Sequence, residues 1–152
     1  MTKRPRLLSM EVISPYLIAV FSAWVVGQGA KYVIVVVKDR NFSHLRQLYL
    51  SGSMPSAHTA TVVAATTVIG LIDGIGSGLF GLAALVTSIV MYDAVMVRRS
   101  SGEQGLAIRA MIREQNSQVS LPRAAQGHTP VEVLVGAALG MVVGAVVFLA
   151  TT

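Results

Sequence analysis

Four long apolar runs punctuate the chain, and polar stretches of unequal length separate them. The first runs from about Val12 to Val37, some 25 residues, where roughly 20 suffice to cross a bilayer as a helix. The second runs from Ser56 to Ile72, the third from Leu79 to Val97, and the fourth from Pro130 to Ala150. Asp73-Gly74-Ile75-Gly76-Ser77-Gly78 is a turn by composition. Lys38–Leu50 is a polar-to-amphipathic connector, and Ser100–Gln126 is the longest polar stretch. Within the latter, Leu106, Ala107, Ala110 and Met111 share one apolar face, which predicts a short interfacial helix followed by a loose loop. The pattern predicts an all-α bundle of about four transmembrane helices with short interfacial helices, as a single domain over residues 1–152.

Composition supports the bilayer as solvent. Hydrophobic residues make up 53% of the chain and charged residues 12%, against roughly 25% charged in soluble domains. The absence of cysteine excludes disulfide and thiol chemistry. A net charge of +5 would direct attention to nucleic acid in a soluble protein. Here the basic residues cluster between apolar runs, which fits lipid headgroups or an anionic substrate instead. The basic start MTKRPR precedes too long an apolar run for a signal peptide and is expected to be retained.

Small residues mark two of the helices. Ala60, Ala64, Ala65 and Gly70 recur in the second run, and Gly136, Gly140 and Gly144 repeat every four residues in the fourth. Such stripes let membrane helices approach closely. With four spans, the ends of the first and third and the starts of the second and fourth share one side. Nine Lys and Arg residues belong to that side and three to the other. The excess predicts a cytoplasmic site in the cell membrane, with both termini on the opposite face.

The chemistry concentrates at that shared side. In Ser51–Thr59, SGSMPSAHT, a flexible polar run leads straight into an apolar helix. Pro55 suits a first helical turn, and Ser56 and His58 would sit in that turn. Its free N–H groups and the helix dipole favour an anion such as phosphate. His128 opens the fourth run in the same way. Glu132, four residues on, can reach the imidazole and fix its tautomer. Thr129-Pro130-Val131-Glu132 also reads as a capping box, so Glu132 has two candidate roles. Gln28 and Lys31 lie three apart and share one helix face. Lys31 either snorkels to headgroups or serves a site. Asp93, a turn inside an apolar helix and followed by Arg98 and Arg99, is either a structural partner of a cation or a site residue. His44 is taken as a surface histidine, and Arg109 and Arg113 as a solvated face. Two histidines at helix starts with cations beside them suit phosphoryl transfer, one imidazole as nucleophile and the other as proton donor. No His/Asp/Glu set has metal-ligand spacing, so no metal and no cofactor are expected.

SMPSAHT, MYDAVMVRR and GHTPVEVLVG, in that order, resemble the divergent branch of the type 2 phosphatidic acid phosphatase superfamily, related to acid phosphatases and vanadium-dependent haloperoxidases. The likeness extends from Gln28 and Lys31 to Gly140. Lys31 and Lys38 are similar to the Lys-x6-Arg-Pro motif, with Lys for Arg and Asp39 for Pro. Pro55-Ser56-Ala57-His58 resembles Pro-Ser-Gly-His. His128-x3-Glu132 resembles the end of Ser-Arg-x5-His-x3-Asp, whose Arg position holds Pro122, with Arg123 one residue off. The resemblance implies His128 as nucleophile, His58 as acid/base and Glu132 as orienting carboxylate. It implies Lys31, Lys38, Ser56 and Arg98 or Arg99 as phosphate ligands, with Asp93, Gln28 and Thr129 in support. The implied activity is a metal-independent phosphatase acting on phosphatidylglycerophosphate, phosphatidate or an isoprenoid phosphate or diphosphate. Many membrane members have six helices, so a homodimer or a short extra helix would complete the core. The competing function class is a non-catalytic membrane protein that binds anionic lipid or phosphate as a scaffold or regulator; haloperoxidase activity ranks third.

Overall fold

A computed structural model of the protein describes residues 13–39, 54–122 and 127–152. The described residues form helices and connecting turns, with no strand among them. In order they are α1 (Pro15–Asp39), α2 (Ala57–Ile72), α3 (Gly78–Tyr92), a π-helical turn (Asp93–Val97), α4 (Arg98–Glu114) and α5 (Pro130–Thr151).

Helix α2 is the hub, packed against α1, α3 and α5, while α1 also touches α5. The glycine stripe of α5 explains the closest of these contacts. A Cβ added at Gly136, Gly140 or Gly144 would strike the carbonyl of Ser56, Ala60 or Ala64 respectively. Each four-residue step on α5 therefore meets a four-residue step on α2. Backbones that approach this closely gain dispersion contacts along their whole length, the force available where lipid removes any hydrophobic drive. The core is accordingly small-residue: Ala19, Ala23, Ala64, Val68 and Val147 are buried, with Tyr16, Ile18 and Val143 packed on them. Phe21, Leu82, Leu85, Ile89, Leu134 and Leu149 stay exposed on the outside, as a lipid-facing surface requires. Between α2 and α3, the Thr66 and Thr87 hydroxyls bond each other at 2.8 Å.

Among the described residues, three helical runs are long and apolar enough to cross a membrane: Pro15–Val37, Gly78–Glu114 and Pro130–Thr151. The second expected span, α2, has 16 residues, or about 24 Å at 1.5 Å per residue. It falls short of the roughly 30 Å hydrocarbon core and lies among the other helices. A second difference concerns the polar stretch after Val97. The expected interfacial helix exists as α4, but it continues α3 end to end through the π turn, so Gly78–Glu114 is one 37-residue run. Its loop begins only after Glu114.

Polar side chains gather in two layers. At one end the Tyr16 hydroxyl donates to Asp73 Oδ2 at 2.6 Å, tying the start of α1 to the end of α2. At the other end stand Lys31, Ser56, Asp93, His128 and Glu132. Tyr16 to Lys31, Ala57 to Asp73 and Ser77 to Asp93 each span 15 or 16 residues, so the layers lie about 24 Å apart.

Candidate active site

The second layer is built where α2 and α5 begin. Ser56 is the N-cap of α2, and its Oγ accepts from Thr59 N at 3.4 Å. Ser56 Oγ and Thr59 Oγ1 also share a 2.9 Å hydrogen bond, and both residues are completely buried. The helix therefore starts at Ala57, one residue later than expected, and Pro55 precedes the cap instead of occupying the first turn. His58 lies in the first turn with its ring exposed. Ser56 N donates to the Glu132 carbonyl at 3.2 Å, which joins the two helix starts directly. Gly136 permits this approach because any side chain there would meet Ser56. Gly27 of α1 lies against Ala57 on the other side.

At the start of α5, Thr129 is the N-cap, Pro130 follows, and the capping box is complete. Thr129 Oγ1 accepts from Glu132 N at 3.3 Å, and Glu132 Oε2 accepts from Thr129 N at 3.0 Å. The same Oε2 lies 3.1 Å from Nδ1 of His128, whose side chain is only 3% exposed. The two roles considered for Glu132 are thus combined in one oxygen. With Nδ1 engaged by a carboxylate, the ring presents Nε2 for chemistry.

The π turn supplies the third wall. Arg98 N–H donates to the Asp93 carbonyl, five residues back. That shift of the ladder releases the Ala94 carbonyl from its usual partner, and His128 N donates to it at 3.0 Å. Asp93 Oδ2 holds Arg98 Nε at 2.6 Å. Gly127 lies against the Arg99 backbone so closely that no Cβ would fit. The chain entering His128 is thereby seated on the turn.

Helix α1 brings Gln28 and Lys31. Lys31 is 5% exposed, and no hydrogen bond or ion pair engages it among the described residues. It feels the charge of Glu132. Gln28 Oε1 is buried without a hydrogen-bond partner. A buried ammonium and a buried amide oxygen without partners each cost a few kcal/mol or more, and a bound oxyanion with its proton or water would relieve both. His58 stands in the field of Arg98, Lys31 and His128, opposed by Asp93. Both helix N-termini add partial positive charge at the same place.

Most residues singled out in the sequence therefore meet at one end of the bundle: Gln28, Lys31, His58, Asp93, Arg98, His128, Thr129 and Glu132. Two expected phosphate ligands differ. Ser56 spends its hydroxyl on the cap and on Thr59 instead of presenting it, because the buried helix start needs an acceptor. Arg99 turns away: its Nε bonds Glu103 Oε1 at 3.2 Å on the exposed face of α4. Arg98, held by Asp93, stands at the end of the bundle that carries His58 and His128. Lys38 belongs to α1, but its side chain, like Arg123 and His44, lies outside the described residues. Arg109, expected on a solvated face, donates from Nε to the Pro122 carbonyl at 2.7 Å. Sequence reasoning missed Thr59, Gly127 and the Ala94 carbonyl. The Gly-His pair was the available signal for the second, since glycine before a buried histidine admits close backbone contact.

A family model described as the Divergent PAP2 family matches residues 13–143. The chain is 36% identical over 106 residues, 60% of its length, to the uncharacterized membrane protein YuiD of Bacillus subtilis (strain 168), covering 67% of that protein. No solved structure matches.

Proposed function

Because the chain belongs to the divergent PAP2 family, we propose that it is a metal-independent lipid-phosphate phosphatase working through a phosphohistidine. The observation that carries the reading is the Glu132 oxygen that binds Nδ1 of the buried His128 at 3.1 Å. It leaves Nε2 as the nucleophilic nitrogen and stabilises the imidazolium character that grows on attack. Nε2 forms a bond to phosphorus as the bond from phosphorus to the lipid oxygen breaks. His58 gives its proton to that leaving oxygen. In the second half, His58 takes a proton from water, the water oxygen attacks phosphorus, and the N–P bond breaks to release inorganic phosphate. Lys31, Arg98 and the two helix N-termini hold the charge on the equatorial oxygens. Gln28 and Asp93 support this set, the latter by fixing Arg98. The apolar surround favours a lipid monoester or diphosphate such as phosphatidylglycerophosphate, phosphatidate or an isoprenoid phosphate. The excess of basic residues on the histidine side supports a cytoplasmic site in the cell membrane.

Phosphate release by the detergent-solubilised protein, measured on these lipids with and without chelator, tests the reading. Release is expected to survive chelation and to fall by about 10³-fold or more in His128→Ala. In His58→Ala both half-reactions lose their proton carrier, so phosphate release is expected to fall by about 10²-fold or more. Full activity in His128→Ala overturns the mechanism. Tight lipid binding without turnover would establish the scaffold reading instead.

A further inference from the structure

Two cations and a second imidazole face His58, against one carboxylate. Lys31 acts from α1, Arg98 from the start of α4 and His128 from the head of α5, while Asp93 opens the π turn. Partial loss of water and the charges of Arg98, Lys31 and His128 all disfavour an imidazolium at this position. Asp93 supplies the opposing charge among the described residues. Glu132 is engaged by His128 and by Thr129 N, and Arg99 is turned toward Glu103.

The helix register sets this juxtaposition. Helices α2 and α3 run antiparallel, and Thr87 Oγ1 donates to the Val62 carbonyl at 3.3 Å. His58 precedes Val62 by four residues, about 6 Å along α2. Asp93 follows Thr87 by six, about 9 Å along α3 in the same direction. Side chains lean toward the N-terminus of their own helix, which lifts His58 and lowers Asp93 toward one level. Two backbone contacts pin both neighbourhoods to the start of α5: His128 N on the Ala94 carbonyl at 3.0 Å, and Ser56 N on the Glu132 carbonyl at 3.2 Å. Asp93 Oδ2 also holds Arg98 Nε at 2.6 Å, so the carboxylate offsets one of the cations that compete with the imidazole.

We propose that Asp93 is the positioning residue of the acid: beyond holding Arg98, its charge keeps His58 protonated for the first half of the reaction. The proposal rests on the phosphatase reading and deepens it. An alkyl oxygen leaves as it takes a proton, so His58 must enter that step charged. The proton passes from the imidazole to the oxygen as the P–O bond breaks. His58 is then neutral and able to take a proton from water. A group that serves first as acid and then as base works best with its midpoint near the working pH. Without Asp93 the surrounding cations hold the ring neutral, and the first half suffers more than the second.

Two measurements test this. The first reads kcat/KM against pH on a long-chain alkyl phosphate. Its basic limb is expected to move down by about 0.5–1 pH unit in Asp93→Asn and up in Arg98→Gln. The ionisation of the substrate is common to all three proteins, so the displacement belongs to the enzyme. An aryl phosphate of equal chain length with an electron-poor leaving oxygen needs no proton. On it, the loss in Asp93→Asn above neutral pH is expected to be about tenfold smaller than on the alkyl ester. Equal losses with an unmoved limb assign Asp93 to holding Arg98 alone and overturn the proposal. Absence of turnover on either substrate in wild type overturns the phosphatase reading instead. The second measurement needs no catalysis. The protein carries isotope-labelled histidine in detergent, and the His58 resonance, assigned with His58→Gln, is titrated by NMR. Its midpoint is expected to fall in Asp93→Asn, to return in Asp93→Glu and to rise in Arg98→Gln. A midpoint unmoved in folded Asp93→Asn, or one that fails to rise in Arg98→Gln, overturns the proposal.

Discussion

Oε2 of Glu132 receives two donors, Thr129 N at 3.0 Å and His128 Nδ1 at 3.1 Å. Sequence spacing presents these as rivals, since the third helical position after the cap is also four residues from the histidine. In the folded protein one oxygen serves both. Glu132→Gln separates the roles, because an amide oxygen still accepts from Thr129 N while losing the negative charge. The variant is expected to keep its thermal midpoint within a few degrees. Its kcat should fall about 10²-fold or more, measured on purified protein. A similar separation applies to the two adjacent arginines. Arg98→Lys replaces a fork fixed by Asp93 with a point charge, and kcat/KM should drop about tenfold to a hundredfold. Arg99→Ala removes only the exposed pair with Glu103 and keeps the Cβ near Gly127, so kcat/KM should change by less than about twofold. The doublet itself carries no signal that tells the two apart; the helix ladder decides it.

Helix α5 was legible as an element, and its partner was not. Glycines at 136, 140 and 144 announce a close contact, but only the fold shows that the stripe meets the carbonyls of Ser56, Ala60 and Ala64. Gly140→Ala places a methyl against the Ala60 carbonyl and Val63. It is expected to cost about 1–3 kcal/mol, read as a lower unfolding temperature in detergent. The π turn was not legible at all. A π turn has no residue-type signature, because it is a displacement of the hydrogen-bond ladder by one position. That displacement aims Arg98 by way of Asp93 and frees the Ala94 carbonyl for His128. The junction of α3 and α4 escaped notice for a related reason. Arginine and serine continue a helix nearly as well as they end an apolar run, so polarity changes after Val97 while the helical run does not break.

At the scale of the molecule, the run lengths of apolar residues were enough to read an all-α bundle, since a bilayer leaves few other solutions. They place α2 within one residue of its observed bounds, and its 16 residues reach only between the two polar layers. Those layers, about 24 Å apart along each helix, are closer together than the headgroup planes of an ordinary bilayer. In a bilayer of ordinary thickness one or both polar layers would therefore lie below the headgroup plane, although three helical runs among the described residues are long enough to cross it. Under the proposed phosphatase function, a thinner bilayer would bring a phosphate ester closer to the imidazoles. Reconstituted into vesicles of graded acyl length, the protein should turn over fastest in the thinnest stable bilayers and slow severalfold in the thickest. Membrane thickness would then act on this molecule as a rate control.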